Sequence, residues 1–498
     1  MNIALLAASM ICIAAVICFG GVMNWLRPEA QETTLGAGGK KLRWAAVFAA
    51  VLVMISCALP MGLSPKYNGE EPEHRNQYEL ITEAFLDGQL HFQYSYIDKR
   101  LTAMENPYDA AERDRLGVDY YWDHAFYDGQ YYMYFGVVPV LLAFLPYRVI
   151  TGQPLDGYHV AQLFTGIFIA GIFALCWLIG RKFFKKMSAA LYLLICSAIS
   201  YLSVWNVVAT PQLYGMAIIC ALGLAVWSLY CFARAVWCIE NENRAIACAA
   251  LGSLLGALVF GCRPTVGLAN LIVLPLLCVF LKTRKMSIRL AGKLALAALP
   301  YALVAAGLMA YNAARFHDPF EFGQAYQLTV TDQSSYGDML SRFDMAALLS
   351  GLRYYLLNLN NPDILPSNGL LITFPVLLAG AMLFFDRRCR SVMKEKKLND
   401  FVAFLLFSTF VIIVFELLWA PHPTPRYRMD FSWLLGLAAF VLIGCACEGR
   451  EKPQKFSKMI GALCLVTMAV AILLALYPQG KNFTDYYAAD IKAFLGLH

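Results

Sequence analysis

The chain has 498 residues, of which 59% are hydrophobic and only 15% charged, with a formal net charge of +6. Soluble domains carry about 25% charged residues, so this balance excludes a water-soluble enzyme, a disordered chain and a collagen-like fibre. What remains is an all-α polytopic membrane protein.

Twelve apolar runs are long enough for a hydrocarbon core of about 30 Å. They fall at 2–26, 44–63, 157–180, 187–207, 211–236, 245–262, 264–282, 290–311, 366–385, 401–420, 431–447 and 459–477. The first has no basic segment ahead of it and no small-residue cleavage site before Arg27, so it reads as a retained span. Runs 133–151 and 344–357 read instead as two juxtamembrane helices on the outer face. The first of these carries Pro139 and Pro146, which would interrupt a spanning helix. With that arrangement the segments 27–43, 181–186, 237–244, 282–293, 386–400 and 448–458 share one side, with 24 Lys+Arg against 9 Asp+Glu. The positive-inside rule makes that side cytoplasmic. Three regions follow: 1–43, an extra amino-terminal helix and cytoplasmic loop; 44–477, a membrane domain with outer loops 64–156 and 312–365; and 478–498, a short outer tail. The cysteines lie almost all in apolar runs and show no disulfide framework or metal-binding C-x-x-C pair.

The first outer loop is acidic and aromatic. Residues 64–132 hold fourteen acids, and the seventeen residues 119–135 hold nine aromatics. The run 77–90 predicts a helix with Tyr78, Ile81, Phe85 and Leu86 on a lipid-facing side and Gly88 as its stop. Residues 106–116 predict a turn opening a second polar helix. Solvated loop acids and an interfacial aromatic belt are the bland explanations. Interleaving of rings with Asp, His and Gln instead suits a sugar site, in which ring faces stack on C–H faces and an acid serves as base. Trp122, His124, Tyr127 and Tyr134 are the candidate binding residues there, with His74 earlier in the loop. At 421–431, Arg426 and Arg428 bracket Tyr427, where guanidinium groups either snorkel or clamp a phosphate. Arg263, in the turn at 261–265, offers the same choice or a capping role. Glu416 is an acid inside a span, where a partner or a cavity is expected; Arg426 and Arg428 are its nearest candidates in sequence.

Five stretches carry a resemblance: GEEP (69–72), QYELITEAFLDGQL (77–90), YYWDHAFYDGQYYMYFGVVPVLLAFLPY (120–147), YNAARFHDPFEFGQAYQL (311–328) and PRYRMDF (425–431). Over about 44–450 the chain resembles the bacterial C-type (GT-C) membrane glycosyltransferases, among them the family 39-like enzymes that use polyprenyl-phosphate sugars. The extra span 2–26 and the absence of a soluble tail domain depart from that pattern. The resemblance implies a carboxylate base early in the first outer loop, at Glu70 or Glu71, with Glu79 or Asp123 as base if the loop is shifted. It further implies a polyprenyl-phosphate sugar as donor, a hexose or pentose transferred to a cell-envelope glycan, lipid or protein, and inversion at the anomeric carbon. The expected location is the plasma membrane, with the site on the extracytoplasmic side. No metal is required by a scheme whose leaving group is a single phosphate, although the acidic loop could hold a divalent cation.

Rival readings are a transporter or flippase, an O-antigen-type polymerase or ligase, and a membrane scaffold. Nearly charge-free spans and the lack of an internal repeat argue against transport. Nucleotide-sugar donors would need a cytoplasmic domain larger than the 17-residue segment 27–43. Nothing in the chain points to a nucleic acid partner.

Overall fold

A computed structural model describes residues 3–22, 34–37, 39–63, 77–284, 286–334, 343–359, 369–419 and 424–476. Within them, ten helices are long and apolar enough to cross a membrane. They are Lys40–Met61, Gly157–Phe183, Ala189–Ala209, Leu213–Trp237, Glu242–Phe260, Pro264–Lys282, Ile288–Phe316, Asn399–Trp419, Pro425–Glu448 and Gln454–Ala475. Two of the twelve expected runs give shorter apolar helices, Ala7–Gly21 and Pro375–Phe384. The second is cut at Phe374, whose extended backbone (φ −119°, ψ 95°) is what a following proline imposes.

Polar side chains start several of these helices. Ser188 accepts from Leu191 N at 3.1 Å, Asn241 from Arg244 N at 3.1 Å and Ser287 from Leu290 N at 3.2 Å. Ala189–Ala209 and the helical part of Pro425–Glu448 form the centre and are buried along nearly their whole length. Ile288–Phe316 stands at the edge, packed mainly on Glu242–Phe260 and bare over most of its surface.

The first long loop has local order that positions the site. The Gln77–Leu86 helix ends near Gly88, whose φ of 72° suits glycine. Its expected lipid face meets protein instead. Tyr78 and Ile81 are fully buried, and the Tyr78 ring stacks on Phe144 at 5.5 Å; only Leu86 is largely exposed. The apolar stripe was legible, but its cover is the chain's own segment 135–144 rather than the bilayer. Asp109 caps Ala110–Leu116 by accepting from Ala111 N and Glu112 N. Pro139 opens a π-helical turn, Val140–Phe144, that runs into Leu145–Thr151; together they are too short to span.

A hairpin that the aromatic density concealed lies between these helices. Strands β1 (Ala125–Tyr127) and β2 (Gln130–Tyr132) pair with Ala125 opposite Tyr132. Their turn is Asp128-Gly129, both at positive φ (48° and 72°), the pair that a tight two-residue hairpin demands. The second long loop runs beside β1 as an irregular third strand: Phe126 N donates to Tyr326 O at 2.8 Å, Leu328 N to His124 O at 2.9 Å, and Asp123 N to Leu328 O at 3.0 Å.

Candidate active site

Four parts of the chain close around a cavity of 280 Å³: segment 122–136, turn 262–265, loop 322–333, and the end of the Asn399–Trp419 helix together with Arg426 and Tyr427, with Tyr214 from the Leu213–Trp237 helix. Each is held by a specific contact. Arg113, fully buried, clips the two long loops together by donating to Pro107 O at 2.6 Å and Thr329 O at 2.5 Å while lying over the Tyr120 ring. Arg315 donates to Met133 O at 2.5 Å and to Asn312 Oδ1 at 2.8 Å, fastening the segment 133–136 after β2 to the end of Ile288–Phe316. At Gly136 the chain crosses Gly261 so closely that a Cβ on Gly136 would lie 2.2 Å from Gly261 O.

Asp123 lies in the cavity wall with only 4% of its surface exposed and a left-handed backbone, φ 61°. Its Oδ1 accepts from Gln327 Nε2 and, at 3.4 Å, from Tyr134 OH. Burial pushes its carboxyl up to about 6; the Arg426 charge and these two hydrogen bonds oppose the shift without cancelling it. Such a carboxyl is ionised at neutral pH and readily takes a proton, the property a general base needs.

Arg426 supplies the cationic part. Its guanidinium lies 4.0 Å from the Tyr214 ring centre and 5.3 Å from that of Tyr427. It forms no ion pair with another described residue, and its buried Nε has no hydrogen-bond partner. Arg263 is differently placed. Its Nε donates to Asp430 Oδ2 at 2.5 Å, the same oxygen accepts from Thr265 Oγ1 at 2.6 Å, and Nη2 lies 3.8 Å from Glu416 Oε1. The turn at 263 is thus locked by an ion pair and not by a helix cap. Glu416 finds its cation in Arg263, a residue distant in sequence, ahead of the neighbouring Arg426 and Arg428. It shares its position as an acid in a membrane-length helix with Asp430, which is fully buried in Pro425–Glu448.

Seven of the sequence candidates therefore line one cavity: Trp122, Asp123, Tyr134, Arg263, Glu416, Arg426 and Tyr427. Four lie elsewhere. Glu79 accepts from Leu155 N at 2.5 Å and ties the Gln77–Leu86 helix to the segment before Gly157–Phe183; burial raises its carboxyl, with that hydrogen bond opposing. His124 is fully buried behind Asp123, its Nε2 2.8 Å from Tyr94 OH and its Nδ1 2.8 Å from Trp122 O. Tyr127 packs on Tyr326 at 4.5 Å. Arg428 is turned away under the Tyr354 ring, 5.0 Å from its centre. Glu70, Glu71 and His74 lie outside the described residues.

Sequence reading missed Asp430 and Thr265, and also the glutamines Gln324, Gln327 and Gln333. Asp430 sits at the seam between a basic turn and an apolar run, where it counted as neither. Three glutamines within the ten residues 324–333 were the available signal.

No family model matches the chain, and no curated protein matches it. Among solved structures, the apo oligosaccharyltransferase of Archaeoglobus fulgidus is similar with a TM-score of 0.46 at 14% identity, over 88% of this chain and 57% of that one. The chain thus spans little more than half the length of that protein.

Proposed function

We propose that the chain is a GT-C-type membrane glycosyltransferase that moves one hexose or pentose from a polyprenyl-phosphate donor to a hydroxyl of a cell-envelope glycan, lipid or protein. The reading places it in the plasma membrane with its site on the extracytoplasmic face. The observation that carries it is a buried carboxylate, Asp123, sharing one small cavity with the guanidinium of Arg426, which forms no ion pair with another described residue. In this reading Asp123 takes the proton of the acceptor hydroxyl as its oxygen attacks the anomeric carbon. The C–O bond to phosphate breaks on the opposite face, and Arg426 receives the charge that develops on the departing phosphate. Rings of Trp122, Tyr134 and Tyr427 line the same space and offer faces for a sugar.

Size and polarity support a lipid-linked monosaccharide. A cavity of 280 Å³ is at the lower end of ligand pockets, about 300 Å³ and upward. Across the Gly136–Gly261 crossing lies a second space of 610 Å³, lined by apolar side chains such as Phe85, Leu90, Val138, Leu141 and Leu308. Its chemistry suits an isoprenoid chain. Arg426 can neutralise a single departing phosphate, so the scheme is written without a metal ion.

The test uses purified protein in detergent with polyprenyl-phosphate hexoses, following thermal unfolding and release of sugar from the lipid. A donor at a hundred times its Kd stabilises the fold by about 2.7 kcal/mol. Asp123→Asn is expected to retain that stabilisation and lose turnover, and Arg426→Ala to lose most of both. Full turnover in Asp123→Asn with none in Glu70→Gln or Glu71→Gln would move the base to the earlier loop. Binding without turnover in the wild type would favour a lipid-linked-substrate transporter.

A further inference from the structure

Asp123 receives a side-chain hydrogen bond from the second long loop, and that bond is the end of a chain. Gln324 Nε2 donates to Gln333 Oε1, Gln333 Nε2 donates to Gln327 Oε1 at 2.8 Å, and Gln327 Nε2 donates to Asp123 Oδ1. All three glutamines line the cavity, and Gln327 and Gln333 are buried, 5% and 9% exposed.

An ionised carboxylate can only accept. Gln327 must therefore turn its NH2 to Asp123, which leaves its carbonyl for Gln333. Gln333 must then present its own NH2 to Gln327 and its carbonyl to Gln324. One anionic group fixes the orientation of three otherwise symmetric amides, and the amides in turn fix a donor on that anion. We infer that Gln324, Gln333 and Gln327 form a directional hydrogen-bond relay that positions the Asp123 carboxylate and holds it in its ionised form, with Gln333 acting at a distance through Gln327. The inference rests on Asp123 being the base only for its bearing on catalysis; the relay itself is a property of the loop.

Other groups reach Asp123 from each neighbouring element. Arg426 faces it from the turn before Met429–Glu448, and Tyr134 from the irregular segment after β2. Gln77 of the Gln77–Leu86 helix meets its backbone carbonyl at 3.2 Å, and His124 is turned away toward Tyr94. The second long loop contributes the Gln327 amide to the carboxylate and the Leu328 carbonyl to the Asp123 backbone N–H. Arg426 and Tyr134 stay in place when the relay is cut, so their effect is constant across the variants below. Hydrogen bonds in such a chain reinforce one another, and removing the far member weakens the near one.

Methionine replaces glutamine at similar volume without donor, acceptor or charge, so a glutamine that merely fills space should tolerate it. The readout needs no substrate: dicyclohexylcarbodiimide modifies protonated carboxyls, and mass spectrometry of the peptide holding Asp123 gives the pH midpoint of labelling. Gln327→Met is expected to move that midpoint upward by about one pH unit, and Gln333→Met to move it in the same direction by less. Val330→Ala, an exposed neighbour outside the relay, should leave it in place. Thermal unfolding confirms that each variant is folded. Unchanged midpoints in folded Gln327→Met and Gln333→Met overturn the relay. Ordered shifts in a protein whose wild type transfers no sugar would uphold the relay and overturn the glycosyltransferase reading.

Discussion

Asp123 combines burial, ionisation and a sparsely populated backbone conformation, each unfavourable to the fold. A non-glycine residue held in the left-handed region costs about 1–3 kcal/mol, less for Asp than for bulkier residues. Burial raises its carboxyl from 3.8 to about 6, so the native chain holds this proton more tightly than the unfolded chain. Native protein therefore binds more protons between those values, and its stability falls as pH rises through them. Above about 6 the loss is complete and constant. Asp123→Asn removes the ionisation, so it should unfold at higher temperature than wild type at neutral pH, by at most roughly 2–3 kcal/mol. The two should converge in acid below the ordinary carboxylate range. Equal unfolding temperatures at neutral pH would show that ionised Asp123 is not a burden. Gained stability with lost turnover is the pattern of a residue kept for chemistry.

At the scale of elements, the Gly136–Gly261 crossing sets the cavity's shape. Val138 N donates to Gly261 O at 2.8 Å, and neither residue leaves room for a side chain, since a Cβ on Gly261 would meet Val138 at 2.4 Å. Gly136→Ala must push the segment after β2 away from the 261–263 turn. We expect a loss of about 1–3 kcal/mol in thermal or denaturant unfolding, with donor binding weakened as Tyr134 and Arg263 separate; an unperturbed variant would mean that the turn yields freely. Helices were legible because they depend on residues three or four apart, as in the turn and helix read at 106–116 and the apolar run at 187–207. The hairpin was legible in principle through Asp128-Gly129, but nine aromatics in seventeen residues suggested a surface composition rather than a fold. The pairing of Asp123 with Gln327 spans 204 residues and that of Arg263 with Asp430 spans 167. No local pattern encodes such contacts, so the sequence could nominate Asp123, Arg263 and Arg426 without showing which of them meet.

Across the whole molecule, the basic segments and the cavity occupy different loops. Arg387, Arg388, Arg390 and Lys394 line the exposed side of one short helix, whereas the 425–428 turn and the two long loops build the site. The positive-inside rule then predicts that the cavity faces outward, as the proposed function requires. In a background lacking the exposed Cys18, Cys238 and Cys278, Ala110→Cys should react with an impermeant maleimide in intact cells, and Lys394→Cys only after lysis. The reverse pattern would invert the topology and with it the donor's side.

Order in the two long loops owes nothing to sulfur. No cysteine occurs between 57 and 176 or between 278 and 389, and all fifteen thiols are free. Tyr94 stacked on Tyr121 at 3.8 Å, the buried Arg113 clip and the strand contacts at 123–128 do what disulfides do in many exported domains. These contacts form equally well in reducing and oxidising surroundings. Maturation of the site is thus independent of any oxidant or disulfide isomerase, and redox stress leaves this part of the fold without a bond to break.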